Sequence, residues 1–228
     1  MRPGAEPVAL QRARDPLATG QRRILGIAGP PGAGKSTVAD WLIKALPGQA
    51  VLVPMDGYHL ANAQLRRLGR QGRKGAPDTF DADGYVALLQ RLREPRPGET
   101  VYAPAFRREL DEPVAAEVAV PADIPLVITE GNYLLLDDAP WNRVRDYLDD
   151  RWFVDVDPQR RREQLVARHM RFGRSRAEAE AWASGTDEPN AVRVMASREH
   201  ALFPFEWPQQ PDVADGGPAL DSVMQGDI

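Results

Sequence analysis

A chain of 228 residues with 43% apolar side chains is long enough for one α/β domain with a buried core, and its net charge of −4 excludes a general attraction to nucleic acid or anionic membrane. The absence of cysteine excludes a disulfide scaffold, a thiol nucleophile and a zinc–thiolate centre, and His59, His169 and His200 show no metal-ligand spacing. No apolar run reaches the roughly 18 residues of a membrane span and the N-terminal stretch lacks the apolar part of a secretion signal, so the expected location is cytoplasmic.

In chain order, residues 1–21 mix Pro, Gly and Arg without periodicity and predict a flexible or loosely docked extension. Residues 22–228 read as a single domain. Ile24-Leu25-Gly26-Ile27-Ala28 is a short apolar run that ends in glycines, and from Lys35 onward Val38, Trp41, Leu42, Ala45 and Leu46 fall on one helical face, which predicts strand, loop and helix. Val51-Leu52-Val53 predicts a second strand, ending at Asp56-Gly57, and Gly84 to Arg93 an amphipathic helix. The polar stretch between them, Ala61 to Asp83, is too long for an ordinary connection and reads as a substrate loop. Leu126-Val127-Ile128-Thr129 and Trp152-Phe153-Val154 predict two more buried strands, each followed by a helical pattern. Strands alternating with helices predict an α/β fold of three layers, a mostly parallel sheet with helices on both faces and ligands at the carboxyl ends of the strands. An arginine-rich helix from Gln159 leads to a break at Gly173, and a small lid is expected over about 168–185. From Pro204 onward the sequence leaves structure unassigned.

The chemistry concentrates in Gly29-Pro30-Pro31-Gly32-Ala33-Gly34-Lys35-Ser36. Glycines at 29, 32 and 34 let successive N–H groups point inward, and the helix that starts at Lys35 adds its positive end, so the loop predicts a cradle for the phosphates of ATP. Lys35 is expected on the β- and γ-phosphates, the Ser36 hydroxyl on Mg²⁺, and Thr37 in place to orient a phosphate. Glu130, directly after a buried strand, is the expected carboxylate of the Mg²⁺ shell. Asp56 stands equivalently after the second strand and is the expected base that takes the proton of an attacking hydroxyl. Arg161, Arg168, Arg171 and Arg174 are placed to neutralise charge over the triphosphate, with Arg168 counted as catalytic and both Arg168 and Arg174 as nucleotide-binding. Tyr58, His59, Asn62, Arg73, Lys74 and Phe106 are the expected acceptor contacts.

These segments resemble a known family. The set formed by Gly29 to Ser36, Asp56-Gly57-Tyr58 with Asn62, Lys74-Gly75-x-Pro77-x-x-Phe80-Asp81, Ala103-Pro104 and Glu130-Gly131-Asn132 is similar to the P-loop small-molecule kinases that include pantothenate kinase, uridine kinase and phosphoribulokinase. Phe153-Val154-Asp155-x-Asp157 with Arg161, Arg168, Gly173 and Arg174 resembles the lid segment of uridine kinases. The likeness spans roughly residues 22 to 200 and is nearest to a branch labelled fructose-transport-system kinases, around Pro54 to Leu60, Arg73 to Pro77 and Glu130 to Leu136. It implies a P-loop kinase fold, ATP and Mg²⁺, and transfer to a hydroxyl, with Lys35, Ser36, Asp56 and Glu130 in the roles given above. Uridine kinases carry Asp-Ser-Phe-Tyr where this chain has Asp56-Gly57-Tyr58-His59, and pantothenate kinases Tyr-Ser-His where it has Phe106-Arg107-Arg108, so neither substrate carries over. The expected activity is transfer of the γ-phosphate of ATP to a hydroxyl of a sugar, nucleoside or pantothenate-like alcohol. Its rivals are a kinase with a phosphate acceptor and a nucleotide-driven switch or chaperone-like ATPase. A small molecule is the expected partner, nucleic acid and membrane are not, and a homodimer stays open.

Overall fold

The computed structural model describes residues 5–15, 17 and 20–207. Its strands are β1 (Arg23–Ala28), β2 (Ala50–Leu52), β3 (Thr100–Arg107), β4 (Glu112–Pro121), β5 (Leu126–Gly131), β6 (Asp150–Asp155) and β7 (Phe203–Glu206). Its helices are α1 (Ala5–Arg14), α2 (Lys35–Ala45), α3 (Asn62–Arg67), α4 (Ala82–Arg93), α5 (Pro158–Arg171), α6 (Arg176–Trp182) and α7 (Glu188–Ala196). Five strands lie side by side in the order β2-β5-β1-β6-β7, each pair parallel, while β3 and β4 form a separate antiparallel hairpin.

Side-chain alternation along the strands splits the core in two. Ile24 and Ala28 of β1, Val127 of β5 and Phe153 of β6 point to one face, where α4 contributes Tyr85, Leu89 and Leu92 and α7 contributes Val194. Leu25 and Ile27, Leu126 and Ile128, and Trp152 and Val154 point to the other, covered by Val38, Ala39 and Leu42 of α2. Both faces of every central strand are therefore buried, which is why these strands read as continuous apolar runs rather than as alternating patterns. Truncating a fully buried residue such as Leu42 to alanine removes about 2–5 kcal/mol of stability. The three-layer α/β fold expected from the sequence is the one observed. Among the described residues no helix is long and apolar enough to cross a membrane.

Three regions differ from the sequence reading. Where a flexible extension is expected, α1 packs Ala9 and Ala13 into the second core, and Arg12 holds Asp150 at 2.6 and 2.8 Å. The docking face is made of alanines four residues apart, too small to stand out as an apolar stripe. Residues 1–4 lie outside the described residues. The long loop from 61 to 83 contains α3 and two short 3₁₀ turns, Gln71–Arg73 and Pro77–Thr79. At the other end, where the chain from Pro204 is unassigned by sequence, β7 extends the sheet and packs Phe203 and Phe205 edge-on against Trp152. The remainder of that tail, residues 208–228, lies outside the described residues.

Candidate active site

The carboxyl ends of β1, β2 and β5 open on a cavity of about 530 Å³, roofed by the β3–β4 hairpin and by α5 to α7. After β1 the chain turns through Gly32 (φ 82°) and Gly34 (φ 88°), both left-handed, and enters α2. At Gly32 the requirement is also steric, since a Cβ there would stand 2.8 Å from Leu165 Cγ and 3.0 Å from the Arg161 carbonyl. Helix α2 has no side-chain cap and no acidic residue in its first turn. Its leading N–H groups and the positive end of its dipole are thus left for an anion, which is the fit a phosphate needs.

Lys35 is 8% exposed, and its ammonium donates to the Pro30 carbonyl (3.1 Å) and to Asn132 Oδ1 (2.6 Å). Burial pulls its pKa down to about 8, partly offset by the charges of Glu130 and Asp56. A phosphate in the loop would favour the charged form. Ser36 Oγ lies 3.3 Å from Glu130 Oε1 and donates to it. Glu130 ends β5, also 8% exposed, and burial together with the neighbouring Asp56 charge pushes its carboxyl up from the usual range. An amine whose pKa burial lowers beside a carboxyl whose pKa burial raises marks a site arranged to receive further charge. Among the described residues no three His, Cys, Asp or Glu side chains cluster as an all-protein metal cage. Ser36 and Glu130 suit instead an ion such as Mg²⁺ that takes one or two protein oxygens and completes its shell with phosphates and water.

Asp56 sits on the 3₁₀ turn Met55–Tyr58 that follows β2, lining the cavity 3.8 Å from Arg108. A Cβ at Gly131 would stand 2.6 Å from Met55, so glycine at the end of β5 is what lets this turn close on Glu130. His59 lies between the tilted rings of Phe80 (4.0 Å) and Phe106 (4.6 Å), with Nδ1 2.7 Å from the Asp56 carbonyl. Lys74 reaches Asn62 Oδ1 and Asp111 Oδ2, each at 2.8 Å, and lies 5.0 Å over the Phe106 ring.

Of the residues singled out by sequence, the structure brings Pro31, Lys35, Ser36, Asp56, His59, Asn62, Lys74, Phe106, Glu130, Arg168 and Arg174 to this one cavity. Gly29, Pro30, Gly32, Ala33 and Gly34 form the loop behind it, and Thr37 lies one residue beyond its edge. Tyr58 and Arg73 are not on its wall. Two residues along a 3₁₀ turn point to different sides, so Tyr58 turns back to pack 5.3 Å from Tyr85 while Asp56 faces inward. Arg73 is half-exposed and paired with Asp78 at 2.6 Å. Arg161 is buried beneath the loop and paired with Glu188.

Asn132, His169, Phe172, Trp182, Asp187 and Asn190 line the cavity without having been singled out by sequence, and Arg108 joins them from the block that ends Phe106-Arg107-Arg108. Arg108 lies 5.6 Å over Phe172 and Arg174 3.9 Å over Trp182, so stacking holds two guanidinium groups at the roof. A signal was present for Asn132, which directly follows Glu130-Gly131. His169, Asp187 and Asn190 come from helical segments whose inward face is polar, which no apolar period reveals.

Residues 24–180 match the model of the Phosphoribulokinase / Uridine kinase family. The chain is 36% identical to the uncharacterized protein YggC of Escherichia coli over 195 residues, 83% of this chain and 80% of that one. It is 39% identical to the ATP-dependent kinase-like protein notR' of Aspergillus versicolor over 163 residues, 67% of this chain and 95% of that one. The crystal structure of a "putative fructose transport system kinase" from Silicibacter sp. TM1040 superposes with a TM-score of 0.74 at 36% identity, covering 82% of this chain and 90% of that one. With its phosphate loop, strand-end acids and parallel sheet, the chain belongs to the phosphoribulokinase/uridine kinase family and is an ATP-dependent kinase that transfers phosphate to a hydroxyl of a small metabolite.

Proposed function

We propose that the chain moves the γ-phosphoryl group of ATP·Mg²⁺ onto a hydroxyl of a sugar, nucleoside or pantothenate-like alcohol, with Asp56 as general base. The observation that carries this reading is the continuity of the cavity, which runs from Lys35, Ser36 and Glu130 to Asp56 and on to His59, Asn62, Lys74 and Phe106. The phosphate loop holds the triphosphate, with Lys35 leaving the Pro30 carbonyl to meet the β- and γ-phosphates. Ser36 and Glu130 would hold Mg²⁺, which when bound neutralises the phosphates. Asp56 accepts the proton of the acceptor hydroxyl as its oxygen attacks, and Arg108 and Arg168 balance the negative charge spread over the transferring group. The compartment proposed for this work is the cytoplasm.

The test is an ADP-release screen over sugars, nucleosides and pantothenate-like alcohols, with the phosphorylated product identified by phosphorus NMR. An acceptor-dependent phosphate ester supports the reading. Inorganic phosphate as the sole product, whatever the acceptor, overturns it in favour of a nucleotide-driven switch.

A further inference from the structure

The chain comes back to the cavity through a segment that phosphate chemistry leaves unused. Residues Ala183–Asp187 form a π-helical turn before α7. A π turn rotates the side chains that follow it relative to a regular helix and is frequent at functional sites. Here it brings Asp187 and Asn190 to the cavity wall, 8% and 7% exposed. One carboxylate oxygen of Asp187 lies 2.7 Å from His169 Nε2 on α5. The amide of Asn190 has no hydrogen-bond partner among the described residues, while Ala191 and Val194 of the same helix are buried among apolar side chains. The amide is not among the fully buried unpaired polar atoms, so it opens on the cavity and is free to bond a ligand there.

Its place within the cavity points to the acceptor. The charge of Asp187 acts on Tyr133 and on Arg168, and the Tyr133 hydroxyl donates to the Gly75 carbonyl, next to Lys74. Toward the acceptor end, the cation Lys74 is already matched by Asp111. A group that can both donate and accept, beside matched charges, suits a neutral polar group better than a carboxylate or phosphate.

We propose that Asn190 is a specificity-determining residue that hydrogen-bonds an uncharged hydroxyl or amide of the phosphate acceptor, with the Asp187–His169 pair fixing the turn that presents it. This rests on the kinase reading above. The probes are aldoses, ketoses, alditols and ribonucleosides, with D-glycerate and pantothenate as charged comparisons, tested on the wild type, Asn190→Leu and Asn190→Ser. The expected result is transfer to an uncharged probe, an acceptor KM raised about 100-fold in Asn190→Leu, and an ATP KM within about twofold of wild type. The unfolding midpoint of Asn190→Leu is expected to hold or rise, because no bond is lost; a structural amide would make it fall. An unchanged acceptor KM, a lowered midpoint in a folded Asn190→Leu protein, transfer to the charged probes alone, or no transfer by a wild type that binds ATP·Mg²⁺ each overturns the proposal. Should Asn190→Leu fail to fold, Asn190→Ser decides by the same acceptor KM. Failure of the wild type to bind ATP·Mg²⁺ is a different outcome and removes the kinase reading itself.

Discussion

The floor and the roof of the cavity are built on different principles. Lys35, Ser36 and Glu130 stand on strand ends or on the first turn of α2, tied by hydrogen bonds of 2.6 to 3.3 Å and packed from below by two cores. Arg108 and Arg174 hang from a hairpin and from the turn after α5, held by Phe172 and Trp182. Phe172 itself is 49% exposed. A guanidinium over an aromatic ring gains about 0.5–1 kcal/mol at exposed sites, so the roof rearranges easily where the floor does not. Rigid placement is what a phosphate-holding floor requires, and a loosely held roof is what lets ligands of different shape be enclosed.

The sharpest way to break that contrast is Asp56→Asn. If the floor carries the chemistry, kcat falls by about 10²–10⁴-fold while ATP affinity, read by calorimetry, moves little, because the amide keeps the size of the carboxylate. Retention of more than about a tenth of the wild-type transfer rate in single turnover removes Asp56 as the base. Next in size, Lys35→Ala is expected to cost about 10²–10³-fold in turnover with circular dichroism unchanged, since it deletes a buried cation aimed at the transferring phosphoryl. Full turnover in a folded Lys35→Ala protein would sink the assignment of the loop. Glu130→Gln should raise the Mg²⁺ concentration for half-maximal rate by about 10–100-fold, because a neutral amide is a poor ligand for a hard cation. An unaltered Mg²⁺ titration would move Glu130 out of the ion's shell.

Smaller changes sharpen the contrast from the roof. Phe172→Ala should cost less than about tenfold in kcat/KM for the acceptor, the scale of one exposed cation–π contact. A loss as large as that of Lys35→Ala would mean that roof and floor are held with equal rigidity. The smallest expected effect belongs to His59. Burial between two aromatic rings lowers its pKa below the ordinary 6.5, against the raising influence of Asp56. The unfolded chain therefore takes up this proton first as pH falls, so the contribution of His59 to stability is present above about pH 6.5 and is lost on the acid side. Unfolding midpoints of wild type and His59→Gln at pH 7.5 and pH 5.5 read it directly. The wild type should lose more than the variant, and parallel losses would contradict the burial argument.

How much was legible follows the same division. The floor is written in contiguous stretches, because a parallel strand buried on both faces is a run of apolar residues and its chemistry begins where the run stops, as at Glu130 after Leu126 to Thr129. Asp56 was found by that rule. Tyr58 was misassigned by it, since sequence proximity to Asp56 says nothing about which side of a 3₁₀ turn a side chain takes. Asp187 and Asn190 were not legible because their inward direction depends on a π turn, a one-residue irregularity without a compositional mark. Helix α1 was hidden by the smallness of its contacts, Ala9 and Ala13.

The tight approach at Gly32 bears on where the chain can bend. With no room for even a methyl group between the phosphate loop and Leu165 or Arg161, the first half of α5 and the loop move as one piece. A lid here would hinge beyond Leu165, where the left-handed Gly173 (φ 91°) is the backbone position suited to it. Arg168 stands on the loop's side of that glycine and Arg174 on the far side. Both guanidinium groups line the cavity in this structure, so the charge of each already stands at the site. A bend at Gly173 would carry Arg174 and leave Arg168 with the loop, so the two charges answer to different parts of the backbone.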